Sequence, residues 1–487
     1  MKRLSLVLFL SFFVCPRPAF GQDTPTRLPI DEKDIRSQLT TDWYGVYFHG
    51  KKAGYSVSKL EHDKDKGLYV STNILLAKLK GSDFQGELKS VETSYYDDKA
   101  PFALRRATYE DARGDSKQKI EVNRKDKGYE AVISVGKDKR FKVLPKLDVT
   151  LADELTATFW IIRGAKKDDK LTTNHFSISD LEEEKVNRKV LAVKHSVVKG
   201  VKVEYLEVEA VYPKTGLNSF ERSDRAGRLL SGKIGDLIEM RLETEAEAKN
   251  IEFSADLFVL GSVKVDKKIG NPTRVSGLVL QVEGEKASIF QDGPWQSQTK
   301  NGGGGYTLKL GKQYGVPTKA TAEEIKENLE DTVAYPSTHP KIQEMLKKAI
   351  GDAQTQEEKV KRLTRFVYRF LKPDYASKPV SVLELIEVKR GSCVQCAQLF
   401  TTLARAAGIP TRQQGGLIYM GDDQKAFGGH EWCEIVVDGY WQPVDPAWNE
   451  TQINATHISF GADKGGAFRQ LSATGKITFR VVEVKTK

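Results

Sequence analysis

The chain has 487 residues, room for about three domains at roughly 150 residues each. Its 76 Lys and Arg against 66 Asp and Glu leave a formal charge of +10, but the basic residues are scattered among acids. With no basic stripe or reader module, a nucleic-acid partner is not expected. An apolar fraction of 39% together with 40 glycines is that of a globular chain, which excludes wholesale disorder.

Lys2 and Arg3 precede the apolar run Leu4 to Val14, followed by Pro16, Pro18 and Ala19-Phe20-Gly21. This pattern reads as a secretory signal cleaved after Gly21, placing the mature chain in the periplasm or outside the cell. The run falls short of the roughly 20 apolar residues of a bilayer span, and no later segment comes closer, so no transmembrane segment is expected. Cys15 raises the alternative of a lipid-anchored cysteine, but the bulky Phe12-Phe13-Val14 before it stands against such processing.

From 22 to 265 the sequence is dominated by period-two alternation, as where Leu206, Val208, Ala210 and Tyr212 alternate with Glu207, Glu209 and Val211. Such alternation predicts antiparallel strands with one dry and one wet face. One helix is expected near 150–163, with Thr150 and Asp153 as a capping box and Gly164 as its stop. A small all-β segment follows over 266–320, with strands at Leu278-Val282 and Tyr306-Leu310. After Pro317 the period changes to 3.6: Pro340 opens one helix, Thr355 and Glu358 cap the next, and Ser381 starts a short third. The fold class is therefore α+β. A large antiparallel N-terminal region and a small β segment precede a C-terminal domain, 321–487, in which a Cys-bearing helix packs on an antiparallel sheet.

With the signal removed, three cysteines remain, Cys393, Cys396 and Cys433. An odd count leaves at least one thiol unpaired within the chain, and their clustering in one region points to chemistry rather than stapling. The helix after Ser392 carries Cys393 in its first turn, on the apolar face with Ala397, Phe400, Leu403 and Ala404, and stops at Gly408-Ile409-Pro410. There the positive end of the helix dipole and unpaired N–H groups favour a thiolate. Downstream, His430 to Val437 reads as a strand, Asp438-Gly439 as a two-residue hairpin turn, and Tyr440 to Asp445 as its return. With Val437 opposite Tyr440, Trp432 falls opposite Asp445 and His430 is the diagonal neighbour, on the same face. An imidazole oriented by a carboxylate and aimed at a thiol is the apparatus of covalent acyl chemistry.

Two other readings use the same residues. Cys393-x-x-Cys396 with His430-x-x-Cys433 has the spacing of a structural zinc site, but strand residues three apart point to opposite faces and cannot share a metal without a bulge. A Cys393–Cys396 redox pair lacks the βαβ setting of that chemistry and would consume the nucleophile. Trp432 shares the face of His430 and is expected either to wall the site or to pack in the core. No cofactor is required.

The segments Gly391-Ser392-Cys393-Val394-Gln395-Cys396-Ala397, Leu403-Ala404-Arg405-Ala406-Ala407-Gly408-Ile409-Pro410-Thr411-Arg412, Gly429-His430-Glu431-Trp432 and Trp441-Gln442-Pro443-Val444-Asp445-Pro446 together resemble the core of the transglutaminase-like superfamily, over roughly residues 335–460. The region around Trp43-Tyr44-Gly45 and Gly50-Lys51-Lys52 is similar to the β-rich N-terminal regions of bacterial secreted members. The resemblance implies a papain-like core with Cys393 as nucleophile, His430 as general base and acid, and Asp445 as orienting carboxylate. It implies a protein or peptide substrate, which could be a component of the cell envelope, with transfer to an amine or to water. Many relatives carry His where this chain has Cys396. Oligomeric state is left open.

Overall fold

The computed structural model describes residues 25–487 apart from 49, 81–84, 114–115, 136–137, 199–200, 214–216, 235–237, 252–254, 257–261, 285–288, 303–304, 375–380 and 462–475. The secretory signal expected over 1–21 lies outside the described residues. The chain divides into two compact units, one formed by residues 25–79 and 85–255, the other by Asp256–Lys487.

In the first unit the alternating pattern becomes a single long antiparallel sheet. Leu206, Val208 and Ala210 are buried, while Glu207 between them turns outward to Lys194 and Arg222. The strand order is two meanders joined at their inner ends. One runs back from Asp138–Leu144 to Thr40–Phe48, which pairs with Ile238–Glu243, and the other runs back from there to Lys170–Ser177. Between the meanders in sequence lies the helix Leu151–Ile162. Its start is fixed by Asp153, whose carboxylate accepts the Thr150 N–H at 2.7 Å and hydroxyl at 2.9 Å, and it buries Leu155, Phe159 and Ile161.

The second unit holds a four-stranded sheet, a five-stranded sheet, the short parallel pair Lys372–Pro373 and Arg390–Gly391, and a set of helices. The two strands expected within 266–320 are Val275–Glu283 and Tyr306–Leu310; with Gln296–Lys300, which the sequence reading did not single out, and Thr478–Thr486 they form a four-stranded sheet. Leu278, Leu280, Leu308 and Phe290 share one core with Leu417, Tyr419, Phe427 and Phe460 of the other sheet.

The helices follow their sequence signals. Pro340–Ile350 stops at Gly351, which takes a positive φ, and Gln356–Phe370 carries the reciprocal Thr355–Glu358 cap. Val382–Val388 and then Cys393–Ala406 follow. Ile342, Leu363, Val367, Leu399, Phe400 and Leu403 close a core against Cys433, Ile435 and Val444 of the second sheet, each large apolar side chain contributing about 1.5–3 kcal/mol on burial. That sheet has Thr411–Tyr419 between Ala426–Val437 and the short strand His457–Ser459, with Tyr440–Val444 on the outer side of Ala426–Val437. Among the described residues no helix is long and apolar enough to cross a membrane.

Candidate active site

Local sequence fixes both halves of the site. At the start of the cysteine helix, Gln395 Oε1 accepts the Ser392 N–H at 3.0 Å and the Ser392 hydroxyl at 2.8 Å. This ties down the first turn and presents Cys393 as the first helical residue. Cys393 is half-buried, whereas Cys396 and Cys433 are buried, and all three thiols are free. The apolar periodicity placed Cys393 on the inner face; the helix end leaves it partly open to solvent.

In the hairpin, Asp438 and Gly439 both take the positive φ of a tight two-residue turn. The register follows from it: Val437 lies opposite Tyr440 and Cys433 opposite Val444. One step further, Asp445 comes level with Trp432, and His430 Nε2 donates to Asp445 Oδ2 at 2.8 Å, with Asp445 wholly buried. The backbone turns back at this point, since Asp445 and Glu450 exchange N–H···O bonds of 2.7 and 2.8 Å. Asp445 Oδ1 consequently accepts the N–H groups of Ala447 at 2.8 Å and Trp448 at 3.2 Å.

The two faces of the histidine strand have separate tasks. Cys433, on the face opposite His430, sits against the cysteine helix, 3.4 Å from the Ala397 carbonyl and 3.5 Å from the Thr401 hydroxyl. His430 and Cys433 are therefore on different sides of the sheet, as the alternation requires, and the zinc spacing does not assemble. Trp432 shares the His430 face and is buried. Its ring stacks near the imidazole, with centroids 6.2 Å apart at 26°, and Trp448 stands edge-on to His430 at 6.1 Å.

One residue that the sequence did not single out joins this cluster. His457, in the short third strand, brings Nε2 to 3.1 Å from the same Asp445 Oδ2. Its only local signal is the tract Asn454-Ala455-Thr456, which has the form of a glycosylation acceptor. Here Asn454 is buried, its side chain bonded to Thr456 and Glu450. The rings meet because the strand between them carries Gly416 directly opposite His430. A Cβ there would lie 2.2 Å from the Ile458 carbonyl and 2.3 Å from the Trp432 ring.

The electrostatics follow from these contacts. Burial by itself lowers the His430 imidazolium pKa, but the charge and hydrogen bond of Asp445, with a contribution from Cys393, outweigh it and raise it to about 10. Burial would raise the Asp445 carboxyl; the charge and hydrogen bond of His430 and the bond from His457 hold it well below the usual carboxylate range. Burial, with Cys393 and Asp445 adding to it, pushes the Cys396 thiol up to about 12. Cys433 is also driven far up by burial, against a hydrogen bond from Thr401. On the opposite strand face from His430, burial raises Glu431 to about 7, partly countered by His430. Glu431 accepts from Gln413 Nε2 at 2.5 Å, and Gln413 in turn accepts the Tyr335 hydroxyl at 2.5 Å.

The donor atoms of His430, Asp445 and His457 lie within 4.8 Å of one another, a set of metal-ligand types. Both Asp445 oxygens already accept two hydrogen bonds each, which occupies all of the about four lone-pair sites of a carboxylate. The group is closed as a hydrogen-bonded unit.

Residues 343–446 match the model of the Transglutaminase-like superfamily, so the family resemblance is shown over the segment that carries Cys393, His430 and Asp445. Comparison with curated proteins gave no match. Among solved structures, the chain is similar to a putative cysteine protease from Cytophaga hutchinsonii at 15% identity, covering 46% of this chain and 86% of that one, with a TM-score of 0.27. A β-barrel-like protein of unknown function from Brucella abortus aligns at 12% identity over 42% and 94% of the two chains, with a TM-score of 0.31. A putative protease from Parabacteroides distasonis aligns at 10% identity over 78% and 70%, with a TM-score of 0.19.

Proposed function

We propose that this protein is a cysteine acyl-transfer enzyme that acts on carboxamide or peptide carbonyls of a protein or peptide through Cys393, His430 and Asp445. The observation that carries the reading is the buried 2.8 Å bond from His430 Nε2 to Asp445, which turns the other ring nitrogen into the working one, beside a half-buried cysteine at a helix start. His430, held protonated to about 10 by Asp445 with a contribution from Cys393, is the cation that a reacting Cys393 thiolate faces. The other two thiols are buried and held protonated at neutral pH, which leaves Cys393 as the nucleophile.

In the first half-reaction the Cys393 sulfur forms a bond to the carbonyl carbon and the carbonyl π pair moves to oxygen. The Cys393 backbone N–H at the helix start is the first donor to that oxyanion. When the tetrahedral species collapses, the C–N bond breaks and the His430 proton passes to the leaving nitrogen, giving a thioester and ammonia or an amine. In the second half, an amine or water yields its proton to His430 as it attacks the thioester, and the thiolate leaves. Asp445 keeps the ring oriented and stabilises its charged form throughout. The secretory signal expected from the sequence supports a periplasmic or exterior setting, which makes envelope proteins and peptides the substrates to test first.

The acceptor names the enzyme, and intact-mass spectrometry identifies it. Purified mature protein is incubated with Gln-containing peptides and a primary amine. Ammonia release with an amine adduct identifies a transferase, and deamidated or cleaved peptide without adduct identifies a hydrolase. Either signal is lost in Cys393→Ala, and an active Cys393→Ala protein refutes the proposal.

A further inference from the structure

His457 is fully buried between Trp432, 5.2 Å away and edge-on, and Trp448, and its ring centroid is 5.6 Å from that of His430. Both of its nitrogens meet oxygen. Nδ1 lies 3.2 Å from the Asn454 backbone carbonyl and Nε2 lies 3.1 Å from Asp445 Oδ2. A carbonyl oxygen can only accept, so Nδ1 carries a hydrogen, and an ionised carboxylate can only accept, so Nε2 carries one as well. A ring with hydrogens on both nitrogens is an imidazolium. The Asn454 carbonyl is itself held in place, because the Asn454 backbone N–H and side-chain amide both donate to Glu450, at 2.9 and 3.0 Å.

We propose that His457 is a positioning residue of the acyl-transfer site: a buried second imidazolium that shares the Asp445 oxygen with His430. The inference rests on the reading of Cys393, His430 and Asp445 given above and deepens it. With thiolate formed, the site then contains two cations, His430 and His457, and two anions, Cys393 and Asp445, a neutral cluster in place of one with a buried net negative charge. A lone Asp445 would hold the His430 proton too tightly for delivery to a leaving group. The His457 charge, acting through the shared oxygen and across 5.6 Å, loosens that hold while favouring the thiolate. Among the described residues, the other titratable groups around the cluster are Cys396 and Cys433, on the helix side of Asp445, Glu431 beside His430, and Glu450 behind Asn454.

The test is the pH profile of Cys393 alkylation by iodoacetate, which needs no knowledge of the substrate. Its rate rises as the thiolate–imidazolium pair forms and falls as His430 loses its proton. His457→Gln keeps a neutral N–H toward Asp445 and removes only the charge. Two charges at this separation and an effective dielectric near 20 interact strongly enough to displace a pKa by about one to two units. Both limbs of the bell are therefore expected to move up by about that amount in His457→Gln. Nitrogen-15 NMR of the wild-type protein at pH 7, with His457 assigned from the backbone, is expected to show both ring nitrogens carrying hydrogen. Limbs that stay in place in a folded His457→Gln protein, or a neutral His457 ring at pH 7, overturn the proposal. If the variant does not fold, the wild-type NMR decides alone. A wild-type Cys393 that alkylates like a free thiol, with one rise near pH 8.5 and no bell, instead refutes the acyl-transfer reading.

Discussion

Replacing Asp445 by Asn tests whether a buried carboxylate sets the protonation of the site. His430 stands at about 10 against an ordinary 6.5, a difference worth roughly 5 kcal/mol at about 1.4 kcal/mol per unit. Burial works against that rise, so the attraction of Asp445, aided by Cys393, supplies all of it. With that charge removed, burial is opposed only by Cys393 and the imidazole falls back toward its ordinary 6.5. At pH 8 a ring of that pKa is only about 3% protonated, so the ion pair is largely lost and iodoacetate alkylation of Cys393 should fall toward the rate of an unpaired thiol. The alkaline limb should retreat from near pH 10 to below pH 7, opposite to its movement in His457→Gln. The substitution also disturbs packing, because four donors now face an amide with one accepting oxygen, and breaking a buried charge pair costs about 3–5 kcal/mol. Circular dichroism and thermal melting establish that the variant is folded at the assay temperature. A folded Asp445→Asn protein with the wild-type bell would refute the reasoning, since Asp445 is the larger of the two influences that raise the His430 ring.

Further outcomes follow from the same contacts. Gly416→Ala puts a methyl 2.2 Å from the Ile458 carbonyl and 2.3 Å from Trp432; it should cost about 1–3 kcal/mol or more by overpacking and slow Cys393 alkylation, both measurable in one melting and labelling series. Cys433→Ala removes a wholly buried side chain and should lower stability by about 1 kcal/mol while leaving the iodoacetate bell in place, and Cys396→Ala should leave the bell in place as well. Glu431, raised from 4.5 to about 7, binds its proton more tightly folded than unfolded. Its contribution is full below pH 4.5 and is lost as pH rises toward 7. Glu431→Gln should therefore gain in melting temperature relative to wild type between pH 5 and pH 8, and a constant difference across that range would contradict the burial argument.

What the sequence revealed and what it hid divide along the distance between interacting residues. The Asp438-Gly439 turn is local, and once its two positions fix the hairpin, counting back places Asp445 beside Trp432 and His430 on the same face. The helix start at Ser392 is equally local, so Cys393 could be read as a first-turn thiol, although its partial exposure depends on where the helix ends over the sheet. The long N-terminal alternation gave strands and faces. It could not give the pairing of Thr40–Phe48 with Ile238–Glu243, because period two is the same whichever partner a strand takes.

His457 was hidden for the same reason. Its strand has three residues and pairs with Thr411–Tyr419, about forty positions earlier and with both strands of a hairpin between them. Nothing local marks a histidine in such a piece as facing a carboxylate twelve residues before it. The clue is structural and lies in a residue with no side chain. Gly416 leaves the space that the Trp432 ring takes beside the two histidines sharing one Asp445 oxygen, so the central strand contributes to the site by omission. A sequence reading that looks for reactive groups passes over such a position. The close approach of Trp432 and the Ile458 carbonyl to it makes Gly416→Ala as direct a probe of the cluster as any substitution of the histidines themselves.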